Sequence, residues 1–443
     1  MPYLTRPRRW RTPPAEQRYI RLLAGSVMVT AVLSLGVGAS QARPATTSDA
    51  VTISMLANFT HQPGWQVLIP NFERVYPNIT VNVTYAPTSA ALDQLEATEF
   101  AAGNAPDLVE TSPGCGTPIS VCTLAKAGYL APMIKEPWLK RALPSVISAT
   151  KYGQSLFAFE PAIAPFAVFT NDTLFKQLGL TVPQTFSQLL DVCRKAQADG
   201  TAAVILQGAS GANVAGLIVG LAVAAVYGKD KQWAGELRAG TVSFDGTSGW
   251  HQALQEFLDM NDAGCFQPGA TGTSATAADI EFAQGQGLMI PLPTNSDGPV
   301  VAADPHFSYT AHPFPGGTNP NQTSNYLRFG FSLSVNAHSS AQNQAAAQTF
   351  VDFIARPKQD ALYAQVVGGL TQYEFLEGEI PAFMSSFAAV FKQREYVNEP
   401  DQSWWNANVL LALQQSAIGL ITGQSSIDGI LNAMDAAWKQ GPS

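Results

Sequence analysis

The sequence predicts an α/β protein built as two lobes, and three observations carry that prediction. The first is a strand–helix–strand order near the start of the globular part. Val51 to Leu56 (VTISML) reads as a strand, Trp65, Ile69, Phe72 and Tyr76 recur at helical spacing, and Ile79, Val81, Val83 and Tyr85 alternate as a half-buried strand. Such a βαβ unit is the building block of a mostly parallel sheet. The second is length: 443 residues, 46% hydrophobic and only 13% charged, describe a globular chain too long for one ordinary core. The third is the stretch Phe100 to Leu130. There a helix-like segment, Thr88 to Ala102, stops at Gly103, Asn104-Ala105-Pro106 turns, and Asp107-Leu108-Val109 reads as a short buried strand. Glu110, Thr111 and Ser112 follow at its C-terminal end, and ligands of open α/β sheets bind outside the carboxyl ends of strands.

Ahead of this body the chain reads as an export signal. Arg6, Arg8, Arg9, Arg11, Arg18 and Arg21 make a basic region, Leu22 to Gly38 is uncharged and mostly apolar, and Ser40-Gln41-Ala42 offers small residues for cleavage. The apolar run is marginal for a membrane span, so a cleaved signal over residues 1–42 is preferred to an uncleaved anchor. No cysteine stands near the cleavage region, and the twin arginines Arg8-Arg9 leave the export route open. Removing residues 1–42 takes away six Arg and Glu16, which turns the formal charge from −8 to −13. So acidic a surface argues against nucleic acid and anionic membranes as partners. The four cysteines, Cys115, Cys122, Cys193 and Cys265, are even in number in an exported chain and are expected to form two disulfides. Three connectivities are possible. Cys115–Cys122 with Cys193–Cys265 is the pairing that closes a short loop beside the proposed site.

Further elements succeed one another along the chain. Residues 43–50 are a polar tether, and Asn58 to Gly64 is a loop opening onto the first helix. Leu124 to Ala127 begins a helix stopped by Gly128, with Tyr129-Leu130 after it. Tyr152 to Pro161 (YGQSLFAFEP) reads as a hairpin, Phe166 to Asn171 as a strand, and Asn171-Asp172-Thr173-Leu174-Phe175 comes next. Thr185-Phe186-Ser187-Gln188 is a capping box. Asn213 to Tyr227 is apolar nearly all round and too short to span a membrane, hence a buried helix. Val242 to Phe244 reads as a strand fragment, Ser248 to Asp262 as an amphipathic helix, and Thr271 to Ala278 as a loop. Phe282, Gly285 and Met289 precede a turn-rich loop at 293–299, and His312 to Gly317 (HPFPGG) forms another. Phe329 to Asn336 alternates as a strand, Ser339 is read as a helix cap, and Pro357 as that helix's end. Val409, Leu413 and Ala417 mark one helix and Ile427, Ile430, Leu431, Met434 and Trp438 the last.

Taken in this order, these segments resemble the extracellular solute-binding proteins of ABC importers, in the sugar-binding group that includes the maltose-binding protein. The resemblance covers about residues 51–440. It implies a periplasmic-binding-protein-like fold with three crossings between lobes (type II), near 163–166, 329–333 and 370–375. The lobes would then be 43–165 with 331–372, and 166–330 with 373–443. It also implies a monomer at the outer face of the cytoplasmic membrane that captures a carbohydrate by hinge closure and delivers it to the membrane subunits of the transporter.

The chemistry such a site needs narrows the candidates. There is no GxSxG, HExxH or P-loop, no GxGxxG after a strand, and no ligand spacing among His61, His251, His306, His312 and His338. No catalytic residue, cofactor or metal is therefore expected. Aromatic faces cover the C–H side of a sugar ring, and carboxylates and amides bond its hydroxyls. From the resemblance, Asn58 and His61 in the loop after the first strand, Trp65 at the helix start, and Glu110, Thr111 and Ser112 are ligand candidates. Core packing is an equal reading for Trp65. Glu160 joins them as a hydroxyl acceptor near the inferred cleft, and Asn295 lies, between Thr294 and Ser296, in a segment where relatives often place an aromatic and this chain has none. One of Trp404 and Trp405, ahead of the penultimate helix, is expected on the ligand and the other in packing. Trp250 and Trp438 are read as core. A pair such as Glu110 and Glu160 would also serve a glycoside hydrolase, so an exported carbohydrate-active enzyme stays as an alternative, beside a binder of a polyol, polyamine or sugar phosphate.

Overall fold

The structure, a computed structural model, describes residues 50–441 apart from 134–135, 297, 319–324, 372, 374–379 and 394–395. The expected signal over 1–42 and nearly all of the tether lie outside the described residues. The described residues all belong to one structural unit, Ser48–Ser443.

Two sheets organise it. In the first, β1 (Val51–Asn58) lies between β2 (Ile79–Ala86) and β3 (Leu108–Thr111), all parallel, with Val51 opposite Ile79 and Met55 opposite Leu108. Helix α1 (Gln62–Val75) carries the chain from β1 to β2 and α2 (Ser89–Ala102) from β2 to β3. This is the βαβ order expected. Thr88 caps α2, its Oγ1 accepting from the Ala91 N–H at 3.1 Å, and Gly103 ends it at φ 73°, a conformation a side chain would strain.

After β3 come β4 (Lys151–Tyr152), β5 (Ser155–Leu156) and β6 (Ala158–Phe159), the first two forming the expected hairpin. The second sheet is built on β7 (Ile163–Asn171), nine residues buried throughout because the strand is covered on both faces. β8 (Ala202–Val204) and β9 (Gly287–Pro293) lie on one side of it, and β10 (Tyr309–Pro313) and β11 (Tyr326–Phe329) pair with its other edge. β12 (Ser332–Val335) returns to the first sheet, antiparallel to β3, and β13 (Val397–Asn398) flanks β11. The sheet orders are β2-β1-β3-β12-β6 and β13-β11-β7-β9-β8. Each sheet carries a hydrophobic cluster on either face, the larger ones gathering Trp65, Phe72 and Phe350 in one lobe and Trp250, Phe257 and Leu413 in the other.

The chain passes between sheets at 159–163 and again at 329–332. There Gly330 N–H donates to the Ala162 carbonyl at 3.4 Å, and Leu370 exchanges two 2.8 Å backbone hydrogen bonds with Ile163. Three strands of chain thus lie side by side between the lobes. The strand expected over 329–336 is accordingly two, broken at Gly330-Phe331 because its halves belong to different sheets.

Other expectations need local correction. Val242–Phe244 is not a strand; its hydrogen bonding goes to a side chain, with Phe244 N–H donating to Asp435 Oδ1 at 2.8 Å. The loop read over 271–278 ends at Ser274, which caps helix Ala275–Ala283. Ser340, one residue after the expected cap, accepts from the Asn343 N–H at 3.1 Å. That helix ends at Ile354, and Pro357 starts the next one, Pro357–Val366. The expected cap forms, Thr185 Oγ1 accepting from Gln188 N–H at 3.3 Å, but Gln188 Oε1 reaches one residue past the cap and accepts from Gln184 N–H at 2.8 Å, so the box is not closed on Thr185.

Both named disulfides are formed, Cys115–Cys122 and Cys193–Cys265. The second joins helix Phe186–Ala198 to the segment after helix Ser248–Asp262 across a separation of 72 residues. Loop-closure entropy then sets the expected order of importance. Cys193→Ala with Cys265→Ala should lower the unfolding free energy by about 4 kcal/mol, and Cys115→Ala with Cys122→Ala by only about 2 kcal/mol, measured by denaturant titration. Equal losses would place the stabilisation elsewhere than in chain closure.

Candidate functional site

The first wall of the crevice is set by one carboxylate. β3 runs through Thr111, two residues beyond the expected strand, so Glu110 and Thr111 lie inside the sheet and both are fully buried. Glu110 Oε2 accepts from the Asn58 N–H at 2.7 Å. Its Oε1 accepts from Trp65 Nε1–H at 2.8 Å and from His61 Nδ1–H at 2.9 Å. The donors come from the last residue of β1 and from the turn and the first turn of α1 that follow it. Asn58 Oδ1 in turn accepts from the Thr60 N–H and hydroxyl, capping the short helical turn Phe59–His61. Charge-assisted hydrogen bonds of this kind are roughly twice as strong as neutral ones. Burial alone would lower the His61 pKa; the Glu110 carboxylate beside it, with Glu160 further off, outweighs that and raises it. The loop so held presents Phe59 outward, 54% exposed.

At the crossing, Glu160 is buried and accepts from Ser332 Oγ–H at 2.7 Å and from the Ala162 N–H at 3.4 Å. Burial pushes its pKa to about 7, against the pull of those donors and of His61.

Between the lobes lies a cavity of about 1610 Å³, above the roughly 300–1,000 Å³ of ordinary small-molecule pockets. From the first lobe Phe59, His61, Gln62, Asp93, Ser112 and Thr117 line it. From the second come Gln207, Asn213, Asp279, Asn295, Phe383 and Trp404, and the crossing adds Arg328 and Phe331. On the second-lobe side an ordered chain of polar groups forms: Asn213 Nδ2–H donates to Gln207 Oε1, and Gln207 Nε2–H donates to Asp279 Oδ1 at 2.8 Å. Burial raises Asp279 to about 6, offset in part by that amide. The one cation in the wall among the described residues apart from His61 is Arg328, whose Nε stands 3.9 Å from Glu399 Oε1, with Asp401 also in the wall. Burial raises both carboxylates' pKa values; for Glu399 the neighbouring Asp401 adds to it, and Arg328 opposes it in both.

The sequence candidates divide accordingly. His61, Ser112, Asn295 and Trp404 border the cavity. Asn58, Trp65, Glu110, Thr111 and Glu160 stand behind its wall with their polar atoms engaged by protein groups. Trp65 packs 4.5 Å from the Tyr363 ring, and Thr111 Oγ1 is shared with Ser334 Oγ at 2.8 Å. Trp405 stacks on Trp438 at 4.2 Å and gives its Nε1–H to the Trp438 carbonyl, so it holds the last helix. Trp404 gives its Nε1–H to Tyr227 Oη at 3.3 Å. Phe59, Gln207, Asn213, Asp279 and Phe383 were missed. Gln207 follows β8, so the carboxyl-end rule that singled out β3 also points to it. Phe59 lies beside two residues that were chosen.

The disulfide loop forms the floor. Cys115 N–H donates to the Gln402 carbonyl across the lobes at 3.2 Å. Gly114 has φ 76°, and a Cβ there would stand 2.0 Å from that same Gln402 oxygen.

The comparisons with known proteins agree with this geometry. Residues 57–361 match the family described as bacterial extracellular solute-binding protein. The chain is similar to a multiple sugar-binding protein of Streptococcus mutans serotype c, with 24% identity over 352 residues that cover 78% of this chain and 80% of the relative. Among solved structures it is similar to RafE of Streptococcus pneumoniae in its complex with raffinose (TM-score 0.71, 19% identity, 88% of this chain and 99% of that one). It is also similar to the GacH receptor of Streptomyces glaucescens, solved unliganded and with acarbose (TM-score 0.70, 20% identity, 89% and 98%). These likenesses establish the two-lobed periplasmic-binding-protein fold.

Three outcomes are expected. Glu110→Gln turns an NH₂ toward one of three donors and loses the charge, so it should cost about 1.5–3 kcal/mol of stability and lower the His61 titration midpoint by NMR. Gly114→Ala should cost at least about 1–3 kcal/mol from its backbone conformation alone, with a further loss from displacing Gln402. Glu160 binds its proton more tightly folded (about 7) than unfolded (4.5). Its contribution is therefore full below pH 4.5 and lost as pH rises through 7. Relative to wild type, Glu160→Gln should remove up to about 3 kcal/mol of that decline in a stability–pH series.

Proposed function

The chain belongs to the bacterial extracellular solute-binding protein family, and we propose on that premise that it is the exported capture subunit of an ABC importer and that its solute is an oligosaccharide. The observation that carries the reading is the make-up of the crevice. Phe59, Phe331 and Phe383 offer faces and edges for ring C–H groups, and the Asn213–Gln207–Asp279 chain presents pre-aligned donors and acceptors for hydroxyls. Arg328 is already matched by carboxylates, which disfavours a phosphate or another anion. The cavity's size suits several rings. Glu110 and Glu160 have their oxygens bonded to protein donors, which supports binding over turnover at that pair. The names of the similar proteins, which mention raffinose, acarbose and multiple sugars, support the same ligand class.

In this reading the lobes are 43–165 with 331–372, and 166–330 with 373–443, and they close by bending where 159–163, 329–332 and 370 run together. The sugar stabilises the closed form through its greater affinity for it, and the membrane subunits read that form. A micromolar dissociation constant needs only about −8 kcal/mol. The residues we assign to ligand contact are Phe59, Gln207, Asn213, Asp279 and Asn295, with His61 and Ser112 at the edge; Trp404, expected there, is buried against Phe244 and Trp250.

A thermal-shift screen with raffinose-type, malto- and xylo-oligosaccharides tests the reading. One class should raise the melting temperature by a few degrees at about 100-fold excess over its dissociation constant, equivalent to roughly 2.7 kcal/mol. Asp279→Ala should weaken that ligand by about 1–3 kcal/mol, and the sugar should be recovered intact. A rise with a polyamine or a sugar phosphate and none with any sugar contradicts it.

A further inference from the structure

The charges that line the crevice do not balance. Asp93 on α2, Asp279 on helix Ala275–Ala283, and Glu399 and Asp401 beyond β13 put four carboxylates on the wall. Among the described residues the wall holds one arginine, Arg328, and no lysine. His61, where protonated, is matched by Glu110 behind the wall at 2.9 Å.

Arg328 is matched on its own side. Its Nε stands 3.9 Å from Glu399 Oε1, and the charge of Asp401 acts on it as well. Asp93 and Asp279 are left without a cation. They come from opposite lobes, Asp93 on a helix packed against β1 and β2 of the first sheet, Asp279 on a helix packed against β9 of the second. No described residue reaches Asp93 with a hydrogen bond or an ion pair.

Asp279 is the sharper case. It is only 6% exposed, and its Oδ1 accepts from Gln207 Nε2–H at 2.8 Å. No described residue donates to Oδ2, and that atom is not sealed inside the protein, so it is left to the cavity that Asp279 lines. Water serves it until a solute fills the crevice. A charge then buried without a counter-charge is costly. A sugar hydroxyl would give Oδ2 a hydrogen bond and bring no charge, whereas an ammonium group brings both. Burial already raises the pKa values of Asp93 and Asp279 above the usual carboxylate range, the direction expected where the charged form lacks a cationic partner.

We propose, taking the crevice to be the sugar site, that its solute is an oligosaccharide with at least one free amino group. The ammonium pairs with Asp279 Oδ2, while hydroxyls of the same ring bond along the Asn213–Gln207–Asp279 chain. Asp93 favours the same charge from the opposite wall. Closure over a neutral sugar would bring two like charges toward each other across a gap emptied of water, where their repulsion grows. Closure over an amino sugar places a cation between them.

Calorimetric titration with three β-1,4-linked trisaccharides that differ only at C2 tests this. They are the glucosamine trimer, the N-acetylglucosamine trimer and cellotriose, with raffinose and maltotriose as neutral sugars of other linkage. At neutral pH and low salt the glucosamine trimer should bind at least about tenfold more tightly than any of the other four. Added sodium chloride should shrink that margin. Asp279→Asn, which keeps the size of the side chain and removes its charge, should cut the margin to about threefold or less, and Asp93→Asn should cut it by a smaller factor. Circular dichroism checks that each variant is folded, and Asp93→Asn, at a partly exposed position, serves if Asp279→Asn is not. A neutral sugar that binds as tightly as the glucosamine trimer, or a margin that neither salt nor these substitutions reduce, overturns the proposal and leaves the crevice reading standing. Binding of none of the five also overturns it, and a response to spermidine in that case overturns the crevice reading as well.

Discussion

The constraint on which the rest of the first lobe depends is the need to satisfy a buried charge. Glu110 has no access to water, and an unpaired carboxylate in such a place costs far more than the fold's margin of stability. It is tolerated because the next connection in space, the segment Asn58–Trp65, supplies three donors to it. The same bonds fix the path of that connection, and so decide that Phe59 stands in the crevice and that α1 starts where it does. Removing the carboxylate leaves all three donors without that acceptor, so the loop behaves as a unit.

The second lobe solves a related problem differently. One part of its crevice wall carries neutral amides aligned in series from Asn213 through Gln207 to Asp279, with a carboxylate at the end of that chain. A first wall that is locked and aromatic faces a second wall that is polar and part-occupied. Between them the chain crosses where Gly330 and Leu370 bond to the strand entering the second sheet. Few backbone bonds need to change for the lobes to rotate there, whereas each lobe keeps its own core. At the disulfide loop the lobes meet through the backbone of Cys115 and Gln402, with Gly114 leaving no room for a side chain beside them.

Much of the fold was legible because local patterns and tertiary needs agree. The βαβ start, the helix Ser248–Asp262, the glycine stop at 103, the cap at Thr185 and the buried segment from Asn213 all follow from periodicity or capping chemistry. The cavity opens at the strand ends that the sequence singles out, while several of the residues lining it are not among the sequence candidates. Glu110 was legible as important; its direction was not, because one more strand residue turns a side chain to the other face of the sheet. Trp405 gave no sign that its partner is Trp438, 33 residues on. Asp279 lies on a helix whose first turn, 275–278, the sequence reads as loop, and Val242–Phe244 has a strand's composition yet bonds to Asp435. In each case the deciding contact is distant in sequence.

The most direct measurement is a crystal structure of the protein with the oligosaccharide that stabilises it. The account requires sugar rings against Phe59 and Phe383, hydroxyls bonded to Asp279 and Gln207, and Glu110 still holding its three donors out of reach of the ligand. A sugar bonded to Glu110 with the Asn58–Trp65 connection released, or one seated away from Asp279, would contradict it.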